Sequence, residues 1–169
     1  MINFNDKIIL EFTGGKKQYR QNPLMIRTRV FEKQLDLKDD EYFVYEIKPA
    51  YTDEASIPRI LWSFITPIDW RVLNPSQPHD QGYEKLREAL KQSFLDGDTV
   101  KVSELEVLLH GCIWNKRTGK IVKENIVPYA TRKDFDLIMK EKMGSYGAGW
   151  LLINAVYWIL RAVGGRAIK

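Results

Sequence analysis

Apolar and polar positions alternate in the first third of this chain; farther on, the apolar ones recur every three or four residues. Before about residue 50, three short runs read as strands: "KIILEF", "LMIRTRVFE" and "EYFVYEI". In the second, Leu24, Ile26, Thr28 and Val30 share one side, and Met25, Arg27, Arg29 and Phe31 the other. In the third, Phe43, Tyr45 and Ile47 alternate with Tyr42, Val44 and Glu46. A period of two is the signature of a strand with one buried face. The separators "TGGKKQYRQNP" and "QLDLKDD" are rich in turn formers, so residues 1–50 are predicted to form an antiparallel β meander.

From residue 57 the period becomes helical. "TDEASIPRILWSFI" reads as a turn and a short helix with Pro58 in its first turn. "TPIDWRVLNPSQP" then leads into a longer helix, with Ser76 as N-cap and Pro78 just inside. His79, Tyr83, Leu86, Leu90 and Phe94 share one face of it, and Asp80, Glu84, Arg87 and Lys91 form the charged face beside them. A capping pair, Ser103 and Glu106, predicts another helix over "VSELEVLLHGCIW", with His110 near its end. "YATRKDFDLIMKEKM" opens on the pair Thr131 and Asp134 and carries the stripe Phe135, Ile138 and Met139. In "GAGWLLINAVYWILRAVGG" an apolar run from Ala148 to Leu160 is interrupted by Asn154 and ended by Arg161. It is shorter than the ~20 residues that span a bilayer. A buried helix is the expectation for residues 148–160; an interfacial, membrane-contacting helix and a partner-binding helix are the alternatives. Taken together, residues 1–169 are expected to form one α+β domain, with strands over 1–50 and helices over 57–169.

Composition narrows the class. Hydrophobic residues at 44% and aromatics at 12% exclude a largely disordered chain. Twenty-six basic and 22 acidic side chains leave a net charge of +4, too mild to point to nucleic acid. Cys112 is the only cysteine, which excludes an intramolecular disulfide and a cysteine-based zinc site. Its setting, "LLHGCIW", predicts a buried thiol rather than a nucleophile. "MINFNDKIILEF" has Asp6 where a signal peptide is positive, and its apolar run is too short for an h-region, so no cleaved leader is expected.

Two histidines carry the candidate chemistry. His79, placed in a first turn near the positive helix end, is expected to be neutral. A neutral, half-buried imidazole serves as a general base or metal ligand, or simply as a hydrogen-bonded core residue. His110, at a helix C-terminus, suits the charged form and has the weaker case. Asp136 lies one turn after Arg132, and surface pairing with Arg132 or Lys140 is its plain explanation.

"TDEASIPR", "HDQGY" and "TRKDFD", in that order, resemble the domain-of-unknown-function 1353 family of bacteriophage and prophage proteins. The matching positions are Thr52, Asp53, Ala55, Ser56, Ile57, Pro58 and Arg59, then His79, Asp80 and Tyr83, then Arg132 and Asp136. The likeness covers roughly residues 40–165. Phe135 stands where that pattern has a small residue, and residues 92–127 read as an insertion. The resemblance implies phage origin and a shared fold, with no established activity. Its motifs also admit a structural role, as buried polar residues that fix loops against helices.

The His-Asp pair with Tyr83 three residues on, and Asp136 on a later helix, is similar to secreted phospholipases A2. That likeness implies His79 as base, Asp136 as its orienting partner with Tyr83 bonded to it, and Asp80 as a calcium ligand. The phospholipase type of glycine-rich calcium loop and the disulfides are missing; Asp53 and backbone carbonyls of "TDEASIP" are the other source of cation ligands. Two functions follow. One is a virion-associated structural or interaction protein of tail or connector type, whose partners are other phage proteins. The other is a His/Asp hydrolase acting on host envelope components, with Ca2+ as its cofactor. Location is expected in the virion or the host cytoplasm. The cluster of Asp53, Ser56, Arg59, His79, Asp80, Tyr83 and Asp136 is the candidate site. In it, Asp53 or Ser56 is expected near the start of the His79 helix, Arg59 paired with a carboxylate, and Asp136 bonded to His79 or Tyr83.

Overall fold

The computed structural model describes residues 10–12, 18–20, 24–48, 51–52, 70–98 and 100–163. Within the chain, expected as one domain, two compact units are distinguished: Met1–Asp53 with Leu108–Tyr129, and Glu54–Val107 with Ala130–Lys169. The fold class is α+β, with antiparallel sheet early in the chain and helices dominating its C-terminal half.

The first unit carries two antiparallel sheets. β1 (Leu10–Phe12), β2 (Gln18–Arg20) and β5 (Tyr51–Thr52) form one, in the order β1-β2-β5. β3 (Leu24–Thr28), β4 (Glu41–Ile47), β7 (Gly111–Asn115) and β8 (Lys120–Ile126) form the other, in the order β3-β4-β7-β8. β3 buries Leu24, Ile26 and Thr28, and β4 buries Phe43, Tyr45 and Ile47, as alternation predicts. Val44 on the opposite side of β4 is also fully buried. β4 lies between two strands, and a central strand is shielded more than an alternating pattern implies. Phe43 stacks on Tyr45 at 5.8 Å and meets the edge of Phe31 at 5.4 Å.

Two expectations for this region are corrected. Val30 and Phe31 do not continue β3: Val30 N–H donates to Thr28 Oγ1 at 3.1 Å and the chain turns into α1 (Glu32–Leu35). The helix expected over "VSELEVLLHGCIW" is absent. A single 3-10 turn, Val102–Glu104, precedes β6 (Glu106–Leu108) and then β7, and Ser103 caps nothing. Tertiary pairing decides this, because β7 runs in register with β4 from Glu41↔Asn115 to Tyr45↔Gly111. Gly111 makes the approach feasible, since a Cβ there would overlap the Val44 carbonyl oxygen. Residues 92–127 include two of the four strands of the larger sheet.

Among the described residues the second unit holds three helices: α2 (Trp70–Leu95), α3 (Arg132–Ser145) and α4 (Trp150–Val163). The strand β9 (Tyr129–Thr131) leads into α3. There the expected capping box is complete: Thr131 N–H donates to Asp134 Oδ2 at 2.8 Å, and Asp134 N–H to Thr131 Oγ1 at 3.4 Å. Phe135, Ile138, Met139 and Met143 are buried from α3, Val72, Leu73, Tyr83, Leu86 and Leu90 from α2, and Val156 and Leu160 from α4. Three expectations fail here. Phe94 is 62% exposed, so the apolar face of α2 ends at Leu90. Ser76 is no N-cap: α2 already runs from Trp70, Pro75 and Pro78 are interior, and Ser76 Oγ donates to Leu73 O at 2.9 Å. α4 is not a buried helix, because Trp150, Leu151 and Trp158 point outward.

Candidate functional site

α2 and α3 meet at an unusually close point. A Cβ on Gly82 would overlap the ring of Phe135, so the glycine makes room for the large residue that departs from the motif. One helical turn N-terminal of Tyr83, His79 lies on the same face, and it faces α3. Its ring is packed against that of Tyr83, with centroids 4.1 Å apart.

The polar contacts close around a single carboxylate. Asp136, fully buried, accepts from His79 Nε2 at 3.1 Å and from the Tyr83 hydroxyl at 2.8 Å through Oδ1. Its Oδ2 accepts from an Arg161 guanidinium nitrogen at 3.0 Å and stands 3.9 Å from Arg132 Nε. Arg132 in turn donates to the Arg161 carbonyl at 2.6 Å, tying α3 to the end of α4. On the other side of the imidazole, His79 Nδ1 lies 3.1 Å from Asp80 Oδ1. The His79 side chain is 4% exposed and that of Asp80 34%. Asp136 thus stands within ion-pair distance of Arg132, as spacing suggests, but it is buried rather than at the surface, and three helices converge on it.

Electrostatics reverse the expected state of His79. Burial alone favours the neutral ring, but the hydrogen bonds it donates to Asp136 and Asp80, and their charges, outweigh it and push the pKa up to about 9. The ring is thus an imidazolium at neutral pH, donating from both nitrogens. The first-turn argument for a neutral ring fails because His79 is an interior residue of α2. For Asp136, burial pushes the carboxyl up, yet the bonds from His79 and Tyr83, the imidazolium charge and Arg161 hold it below its ordinary value. Burial, with the Asp136 charge beside it, pushes the Tyr83 hydroxyl well above the ordinary range, so it stays a donor.

The structure thus brings His79, Asp80, Tyr83 and Asp136 together. Asp53, Ser56 and Arg59 lie outside the described residues. His110 is exposed in the loop between β6 and β7. Cys112, expected to be buried, is half-buried in β7, where burial raises its thiol pKa. Among the described residues, no three His, Cys, Asp or Glu side chains are placed to hold a metal ion. Asp80, implied as a calcium ligand, engages His79 Nδ1 through its Oδ1.

Arg161 is the member that sequence reasoning missed. The signal is present: it is the sole charged residue of α4, and a lone cation in an apolar helix calls for a buried counter-charge. No protein-family model, curated protein or solved structure matches this chain.

Proposed function

We propose that this is a phage-encoded structural or interaction protein of the virion, in which the His79 cluster fastens three helices rather than performing catalysis. One observation carries the non-catalytic part: the His79 ring is buried and a carboxylate engages each of its nitrogens. A general base needs an unprotonated nitrogen within reach of the proton it takes. An imidazolium between two carboxylates has none, and acts as a cross-link. The phage setting is supported by the likeness of "TDEASIPR", "HDQGY" and "TRKDFD" to the domain-of-unknown-function 1353 pattern.

The competing hydrolase reading draws on one observation. The bonds from His79 Nε2 and the Tyr83 hydroxyl to Asp136 are those that the phospholipase likeness implies. It requires Asp80 to swing off Nδ1 and the ring to lose a proton held up to about pH 9.

The test has two arms. Wild-type protein and the His79→Gln variant are assayed on phosphatidylglycerol and phosphatidylethanolamine vesicles and on a chromogenic ester, with and without millimolar calcium. No His79-dependent turnover is the expected result, and turnover abolished by the substitution would overturn it. Mass spectrometry of purified particles should find the chain in the virion; particles lacking it refute that assignment.

A further inference from the structure

α4 divides its apolar residues in an unusual way. Val156 and Leu160 face α3 and are buried, while Trp150, Leu151 and Trp158 are 73%, 76% and 66% exposed. At 100° per residue, Leu151, Ala155, Trp158 and Ala162 form one outward stripe, with Trp150 exposed to one side of it at the first position of the helix. A helix that buries aliphatic residues and turns its two tryptophans to water is the reverse of an ordinary surface helix.

Three observations bear on what this stripe meets. Large aromatic side chains with a polar edge, exposed on a helix, suit a boundary that is apolar on one side and wet on the other. A cation stands beside them: Lys140 Nζ lies 4.7 Å over the Tyr157 ring, and that ring packs edge-on against Trp158 at 5.4 Å. From Lys142 to Lys169 the sequence has four basic residues and no acidic one. This is the composition of a helix that lies in a negatively charged interface.

Size points the same way. Fourteen residues of α-helix rise about 21 Å, short of the ~30 Å hydrocarbon core, and no described helix is long and apolar enough to cross a membrane. The exposed parts of two tryptophans and a leucine amount to a few hundred Å² at roughly 150–250 Å² per large aromatic. Stable protein pairs bury about 800 Å² per partner.

We infer that the Trp150–Leu151–Trp158 face of α4 seats in the headgroup region of an anionic lipid bilayer, with the helix axis in the membrane plane. The attraction is part apolar, from the stripe, and part electrostatic, from Lys140 beside it and from the basic excess of the sequence that follows. The inference rests on α4 and its flank, and stands whether or not the protein belongs to a virion or turns over a substrate.

The test is sedimentation of the full chain with vesicles of phosphatidylcholine alone and of phosphatidylcholine with phosphatidylglycerol, at low and high salt. Pelleting with the anionic vesicles, weakened by salt, is expected. The Trp150→Ser/Trp158→Ser variant, altered only at exposed positions, should keep its melting temperature and bind at least tenfold more weakly. Leu151→Glu should do the same independently. Equal binding by the variants, equal binding to neutral vesicles, or no binding would each overturn the inference. So would a wild-type dimer in sedimentation equilibrium that the double variant converts to monomer without any vesicle binding, since a second copy would then cover the face.

Discussion

Gly82 lies directly beneath the ring of Phe135, with no room for a side chain on the glycine. Gly82 lies about one turn from His79 and Phe135 directly precedes Asp136, so the pair sets how closely α2 and α3 approach and hence whether their polar groups reach. Replacing an exposed helical glycine with alanine ordinarily stabilises by up to about 1 kcal/mol. Here overpacking should win, and Gly82→Ala is expected to destabilise by about 1–3 kcal/mol in urea unfolding. Combined with Phe135→Ala it should cost less than the sum of the two single changes, because the added methyl fills space the ring has left.

Removing one partner of a buried ion pair strands the other. His79→Gln and Asp136→Asn should therefore each lower stability by about 3–5 kcal/mol in chemical denaturation. The double variant should be far from additive. A loss below about 1 kcal/mol for either change would show that the cluster fastens nothing.

The pH dependence has a definite sign. His79 has a folded pKa of about 9 against an ordinary 6.5, so its stabilising contribution is complete below pH 6.5 and declines as pH rises through 9. Stability of the wild type should fall between pH 7 and 10, and the His79→Gln variant should lack that part of the slope. Asp136, held below 3.8, acts on the acid side, where its contribution is lost as pH falls below 3.8. Nitrogen chemical shifts of the His79 ring at pH 7 should be those of an imidazolium.

A smaller effect is expected at the start of α3. Thr131→Ala removes half of the capping box with Asp134 and should cost about 1 kcal/mol in thermal unfolding, without altering the pH slope of His79.

Which parts of this arrangement are legible in the sequence follows from where local and tertiary forces agree. β4 is visible as "EYFVYEI" because pleat alternation and burial coincide at Phe43, Tyr45 and Ile47. The Thr131–Asp134 cap and the stripe behind it are visible because both are contained within one turn or two. His79, Tyr83, Leu86 and Leu90 share a face, and that face is buried. What stays hidden depends on partners distant in sequence. Ser103 and Glu106 mimic a helix start, yet the run that follows pairs with a strand some 70 residues earlier. Ser76 and Pro78 look like a beginning, although α2 already runs from Trp70 and holds both inside it. The charge on His79 cannot be read from its own helix, because Asp136 comes from another.

The interleaving of the two units has a consequence for synthesis on the ribosome. β4 leaves the tunnel with only β3 as a neighbour, and its other edge stays unsatisfied until Gly111–Asn115 emerges. By then all of α2 has been made, yet its buried carboxylate partner, Asp136, is still to come. Val44 therefore waits for about 70 residues of synthesis, and His79 for about 60, before the partners that bury them emerge. A nascent chain of this design depends on whatever shields an open sheet edge and a half-covered helix until about residue 136 is free.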